Sequence, residues 1–145
     1  MKKHQRLLSL LLVSVLLLGA LLLSACQSTP LVIEDSDTCI VIRTTEKSLE
    51  GKDDVLLIDY MAMLKEDGKL LYEVKGGMIT SINGIENPAD YSSCWMLYTS
   101  DASLASAAFG TVLYEGKEYG SAVVGAEELK LKPEELYIWV YKSFN

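Results

Sequence analysis

The sequence predicts an α+β domain, a mixed β-sheet packed on one helix, preceded by a lipoprotein-type signal peptide. Three observations carry this prediction. A basic start leads into a leucine-rich run that closes on Leu23-Ser24-Ala25-Cys26; short β-branched and aromatic segments alternate with Gly, Asn and Pro; and one stretch, Val55 to Asp67, carries apolar residues at helical spacing.

The leader comes first. Lys2, Lys3 and Arg6 supply positive charge, Leu7 to Leu23 form an apolar run interrupted only by Ser9, Ser14 and Gly19, and Ser24 and Ala25 precede Cys26. Such a run partitions into the bilayer, and small residues before the cysteine let the backbone enter a protease groove. The pattern reads as a bacterial lipobox, with residues 1–25 the signal peptide and Cys26 the lipidation site. Each buried lipid methylene contributes about 0.8 kcal/mol, so two or three acyl chains hold durably. The competing reading is an uncleaved membrane helix with an incidental cysteine. On the lipobox reading, the remaining chain is extracytoplasmic and lipid-anchored to the cell membrane.

Residues 26–37 are expected to be a lipidated tether, polar around Pro30, and residues 38–145 the domain. Cys39-Ile40-Val41-Ile42 is apolar on both faces, which suits a strand near the middle of a sheet. Asp53 or Asp54 can cap the element that follows, where Leu57, Tyr60, Met61 and Leu64 share one helical face and Gly68 stops the helix. A hairpin turning at Asp67-Gly68 is the alternative. Leu70 to Val74, Met78 to Ile82, Cys94 to Thr99, Thr111 to Tyr114 and Tyr137 to Tyr141 read as strands. Gly76-Gly77, Asn83-Gly84 and Asn87-Pro88 punctuate them, and Glu115-Gly116-Lys117 reads as a hairpin turn.

Composition narrows function. The whole chain has 13 basic and 20 acidic residues; the leader holds three of the basic and none of the acidic, so the 120 residues from Cys26 carry a formal charge of −10. With no basic cluster, counterion release cannot drive nucleic-acid binding. Acidity also repels anionic headgroups, so the lipid is expected to hold the membrane. His4, the single histidine, leaves with the leader, which excludes Ser-His-Asp and Cys-His sites and the commonest zinc ligand. The Gly110 to Lys117 stretch has one residue too many for a phosphate loop, and Glu118 stands where Ser or Thr is needed. No catalytic residue, metal site or bound cofactor is expected, apart from a carboxylate pair that one sequence cannot place in space.

Cys39 and Cys94 remain as a candidate disulfide, or as two free buried thiols; spacing does not choose between them. In the last strand, alternation sets Tyr137, Trp139 and Tyr141 on one face and Ile138 and Val140 on the other. The aliphatic face is expected to pack on the helix, leaving the aromatics to fill a second core layer or to stack on a flat ligand.

Ser81-Ile82-Asn83-Gly84-Ile85, Cys94-Trp95-Met96-Leu97-Tyr98 and Tyr137-Ile138-Trp139-Val140-Tyr141 resemble, in order and spacing, the transcobalamin-like C-terminal domain, a domain of unknown function common in Gram-positive surface lipoproteins. The resemblance spans about Thr38 to Phe144. The chain departs from the family pattern at Cys94, at Thr99-Ser100-Asp101 and at Pro133-Glu134-Glu135. What the resemblance implies is a β-grasp-like fold and non-catalytic capture of a ligand, with a cobalamin-like corrinoid as the named candidate. Trp95, Tyr98, Trp139 and Tyr141 are the expected ligand-binding residues, because aromatic faces give large contact area at little conformational cost. The partners expected are the membrane, through the N-terminal lipid, and a small-molecule ligand. The alternative is an interaction module that meets an envelope protein through a strand edge.

Overall fold

The structure, a computed structural model, describes residues 31–32 and 35–144. The signal peptide, Cys26 and residues 27–30 and 33–34 of the tether lie outside the described residues. The elements are β1 (Leu31–Val32), β2 (Cys39–Arg43), α1 (Glu46–Leu49), α2 (Leu57–Glu66), β3 (Tyr72–Lys75), β4 (Met78–Ile82), β5 (Ile85–Glu86), β6 (Ser93–Thr99), β7 (Ala105–Tyr114), β8 (Lys117–Ala122) and β9 (Leu136–Ser143). Six strands form one sheet in the order β1-β7-β8-β6-β9-β2, antiparallel except for β1 against β7, and β3-β4-β5 form a second, antiparallel sheet. The fold is therefore α+β with strand predominating.

Local chemistry explains the hairpins. Gly76-Gly77, Asn83-Gly84 and Glu115-Gly116 all place two successive residues at positive φ, between 48° and 84°, the backbone of the tight turn whose twist matches paired strands. Helix α2 falls within the predicted stretch, and Gly68 at φ +70° ends it. Its start differs from expectation. Leu56 is the N-cap and gives no side-chain bond; the Leu57 and Ile58 N–H groups donate instead to Leu129 O at 2.8 Å and Ala126 O at 3.0 Å. Tertiary backbone thus satisfies the helix end, and Asp54 is free to pair with Lys130 at 2.9 Å on the surface.

Two cores flank the sheet. One packs Leu57 and Met61 of α2 with Ile42, Ile79, Ile82, Trp95, Leu97, Tyr137 and Trp139. The other packs Ile138 and Val140 with Cys39, Tyr98, Val112, Tyr114 and Tyr119, so the β7–β8 hairpin covers the face away from the helix. The alternation along β9 is as expected, but its facing is reversed: the aromatic side meets the helix and the aliphatic side meets the hairpin. Large rings fill the deeper space between helix, second sheet and main sheet, whereas the hairpin already brings its own tyrosines and leaves room only for Ile and Val.

Two further expectations are corrected. β2 is an edge strand, not a central one; it is apolar on both faces because it borders both cores. The tether contributes β1, with Leu31 opposite Val112 and Val32 opposite Leu113. The short apolar run at Leu31-Val32-Ile33 had the composition for that pairing.

Candidate functional site

β6 is paired with β9 along its whole length, from Ser93 opposite Ser143 to Thr99 opposite Tyr137. On its other side the ladder to β8 is registered only at Tyr98↔Ser121 and Thr99↔Gly120. Beyond that point β8 diverges, and a cleft of about 340 Å³ opens between β6, the Ala122–Ala126 segment, the Gly77–Ile79 turn and Phe109. This is the low end of the usual volume for a small-ligand site. Its lining residues include both tryptophans of the chain, Trp95 and Trp139, and no Asp, Glu, Lys, Arg or His. In a chain with 23% charged residues, an uncharged lining sets this cleft apart from the rest of the surface.

The four expected ligand-binding residues do not converge. Trp95 and Trp139 line the cleft, each only 5% exposed. Tyr141 lies behind Trp95, ring centroids 5.4 Å apart and tilted by 58°. Tyr98 points to the opposite face, fully buried in the second core, where no ligand on the tryptophans can reach it. A period of two dictates this: residues 95 and 98 are an odd number of positions apart on one strand.

Polar ends divide the roles further. Trp95 Nε1 donates to Ile85 O at 2.8 Å and the Tyr141 hydroxyl donates to Glu86 O at 2.9 Å, so both rings clamp β5 onto the main sheet. Asn87 completes that joint, accepting from the Trp95 N–H at 3.0 Å and donating to Ile79 O at 3.1 Å. Trp139 differs. Its Nε1 is buried and has no hydrogen-bond partner among the described residues. An orphaned buried N–H costs about 1–3 kcal/mol.

Cys94 also lines the cleft, and burial pushes its thiol above the ordinary range despite the nearby Lys142 charge. Cys39 is pushed up to about 11 by burial and by the negative charge of Asp35. Both thiols are free. β9 runs between the strands that carry them, and two strand spacings of about 4.8 Å already exceed the Cα separation a disulfide can bridge. Raised thiols of this kind are less nucleophilic near neutral pH than an ordinary cysteine.

A larger cleft of about 640 Å³ lies between β2, β8 and the Glu134–Leu136 turn. It is polar, lined by four acidic and two basic residues, and one ion pair, Arg43 with Glu115, lies within it. Arg43 Nη2 donates to Glu115 Oε1 and to the Tyr114 hydroxyl, both at 2.8 Å, the Tyr114 hydroxyl donates to Asp35 at 2.8 Å, and Ser100 Oγ bonds Glu135. No group of three His, Cys, Asp or Glu among the described residues is placed to hold a metal ion, and no described helix is long and apolar enough to cross a membrane.

Sequence reasoning missed the rim: Met78, Tyr91, Phe109 and Val123. The signal available was the absence of charge in Ala105–Gly110 and Ala122–Ala126, which neither periodicity nor turn chemistry explains. No family model matches the chain, and no curated protein and no solved structure is similar to it.

Proposed function

We propose that this is a lipid-anchored, extracytoplasmic, non-catalytic binding domain whose uncharged cleft takes a flat, mainly apolar ligand carrying one hydrogen-bond acceptor. The observation that carries the reading is Trp139: its ring walls the cleft while its N–H is buried without an acceptor. Trp95 supplies a second wall, held rigid by its bond to Ile85 O. The resemblance to transcobalamin-like domains supports a β-grasp-like description of a sheet that embraces α2, and it names a corrinoid as ligand. A corrinoid is larger than the cleft and would seat only one edge of its macrocycle between the tryptophans.

Titration of the purified protein with cobinamide and, separately, with the flat apolar probe anilinonaphthalene, read by tryptophan emission, tests this. Saturable quenching is expected, weakened by Trp139→Phe, which keeps a ring and removes the N–H. Absence of a saturable change with both probes would overturn the ligand.

A second reading rests on a different observation. Among the described residues Ser93–Leu97 of β6 pairs with no strand on the side facing the cleft, where the Asn87 side chain meets the Trp95 N–H, so an extended segment of an envelope protein could displace Asn87 and add there as a strand. Protection of those amides from hydrogen exchange by a partner, with no response to small ligands, would select this alternative.

A further inference from the structure

We infer that the rim of this cleft is a membrane-contacting face and that the cleft draws an ester-bearing apolar lipid from the leaflet to which residue 26 is tied. The inference rests on the lipid-anchored binding reading above and deepens it by naming the ligand class.

Exposed apolar residues are concentrated here. Phe109 is 66% exposed, Val123 59%, Tyr91 54% and Met78 49%, and all four line the cleft. Isolated exposed apolar residues need no explanation, but a ring of them around an uncharged opening does. Aromatic and aliphatic side chains with an amphipathic edge are what the bilayer interface selects.

The bulge in β7 projects the most exposed of them. Ser106 pairs with Ser121 and Thr111 with the adjacent Gly120, so Ala107, Ala108, Phe109 and Gly110 have no counterpart on β8 and loop outward. Gly110 at φ +84° allows the chain to return to register. The loop carries no charge, and Lys142 Nζ sits beside it, 3.3 Å from Phe109 O. A lysine flanking an exposed phenylalanine is suited to phosphate headgroups above a buried ring.

Chain direction brings the anchor to the same place. β1 runs parallel to β7 with Leu31 opposite Val112, so the chain preceding Leu31 leaves from the Gly110 end of β7. Leu31 lies five positions after Cys26, a reach of at most about 18 Å. Acyl chains on Cys26 therefore hold the bilayer close to the bulge, and weak apolar contacts at the rim become effectively intramolecular. Carboxylates stand at its edge, Glu127 beside Gly77 and Asp90 next to Tyr91, so a zwitterionic headgroup suits this rim better than an anionic one. The ester carbonyl of an acylglycerol supplies the kind of acceptor that the buried Trp139 N–H lacks, once the ring turns toward the cleft.

The chain's two tryptophans both line the cleft, so their emission reports it directly. The full chain, produced with its native processing, is placed in phosphatidylcholine vesicles with and without bromine on the acyl chains, and acylation at Cys26 is checked by mass spectrometry on the same sample. Bromolipid is expected to quench the emission, and Phe109→Asp with Val123→Asp, both at exposed positions, to lose most of that quenching. An acylated chain with equal emission in both vesicles overturns the membrane face and leaves the anchor standing. A chain without acyl groups at Cys26 overturns both. In intact cells, Phe109→p-benzoylphenylalanine is expected to form a photoadduct with phospholipid; an adduct with a protein alone overturns the lipid in favour of a protein partner.

Discussion

Replacing Asp101 with Asn tests whether one buried carboxylate holds the turn that sets the cleft wall. Asp101 is 4% exposed; its Oδ1 accepts from the Ser103 N–H at 3.0 Å and from Ser103 Oγ at 2.6 Å, and its Oδ2 lies 2.6 Å from Lys132 Nζ. The same turn bonds the Leu104 N–H to Asp101 O, and Leu104 O then accepts from the N–H of Val123 on the cleft rim. An amide keeps the two bonds to Ser103 in weaker, uncharged form and loses the attraction to Lys132, which is half exposed and so contributes modestly. The cost is about 2 kcal/mol, or a fall of about 10 °C in Tm for a domain of this size. Urea unfolding at neutral pH measures it.

Acid supplies a second arm to the same assay. The Lys132 ammonium, and then the Ser103 hydroxyl, hold the Asp101 carboxyl below its ordinary value. A depressed folded value means the contribution is fully present above the unfolded pKa, about 3.9, and is lost as pH falls through the folded one. The stability gap between wild type and Asp101→Asn is therefore full at neutral pH and narrows below about pH 4. A neutral-pH gap under about 0.5 kcal/mol, or one that stays constant on acidification, would refute this account.

Two further outcomes follow from local geometry. A Cβ on Gly120 would stand 2.8 Å from both the N and the O of Ser106, so Gly120→Ala is expected to cost about 1–3 kcal/mol in urea unfolding, and a neutral result would disprove that close approach. Cys39, 4% exposed, is expected to react slowly with alkylating reagents at neutral pH while the chain is folded and rapidly in denaturant, and the half-buried Cys94 on the cleft wall to react faster than Cys39; equally fast labelling of Cys39 in the folded state and in denaturant would contradict its burial.

Much of the secondary structure was legible because its signals are local. Asn83-Gly84 and Gly76-Gly77 dictate their turns, and the spacing of Leu57, Met61 and Leu64 dictates α2. What sequence could not supply was which face of β9 met the helix. Alternation fixes that Trp139 and Ile138 oppose each other but carries no information on which core each enters, and that choice was made by the tyrosines of the β7–β8 hairpin. The helix cap was invisible for a similar reason: its acceptors, Ala126 O and Leu129 O, come from backbone about seventy residues downstream, beyond the reach of any capping pattern. Two of the four anticipated aromatics, Trp95 and Trp139, do share a cleft. Tyr98 failed because choosing rings by type ignored the parity of their positions, and the rim residues were overlooked because exposed Val, Met and Phe carry no motif.

The seam between β6 and β8 is two residue pairs long, whereas β6 and β9 share seven. Opening the first would break few bonds and leave the second untouched. What holds the β7–β8 arm is instead the second core, where Val112, Tyr114 and Tyr119 pack on Tyr98, Ile138 and Val140, so parting the seam costs buried apolar area more than backbone bonds.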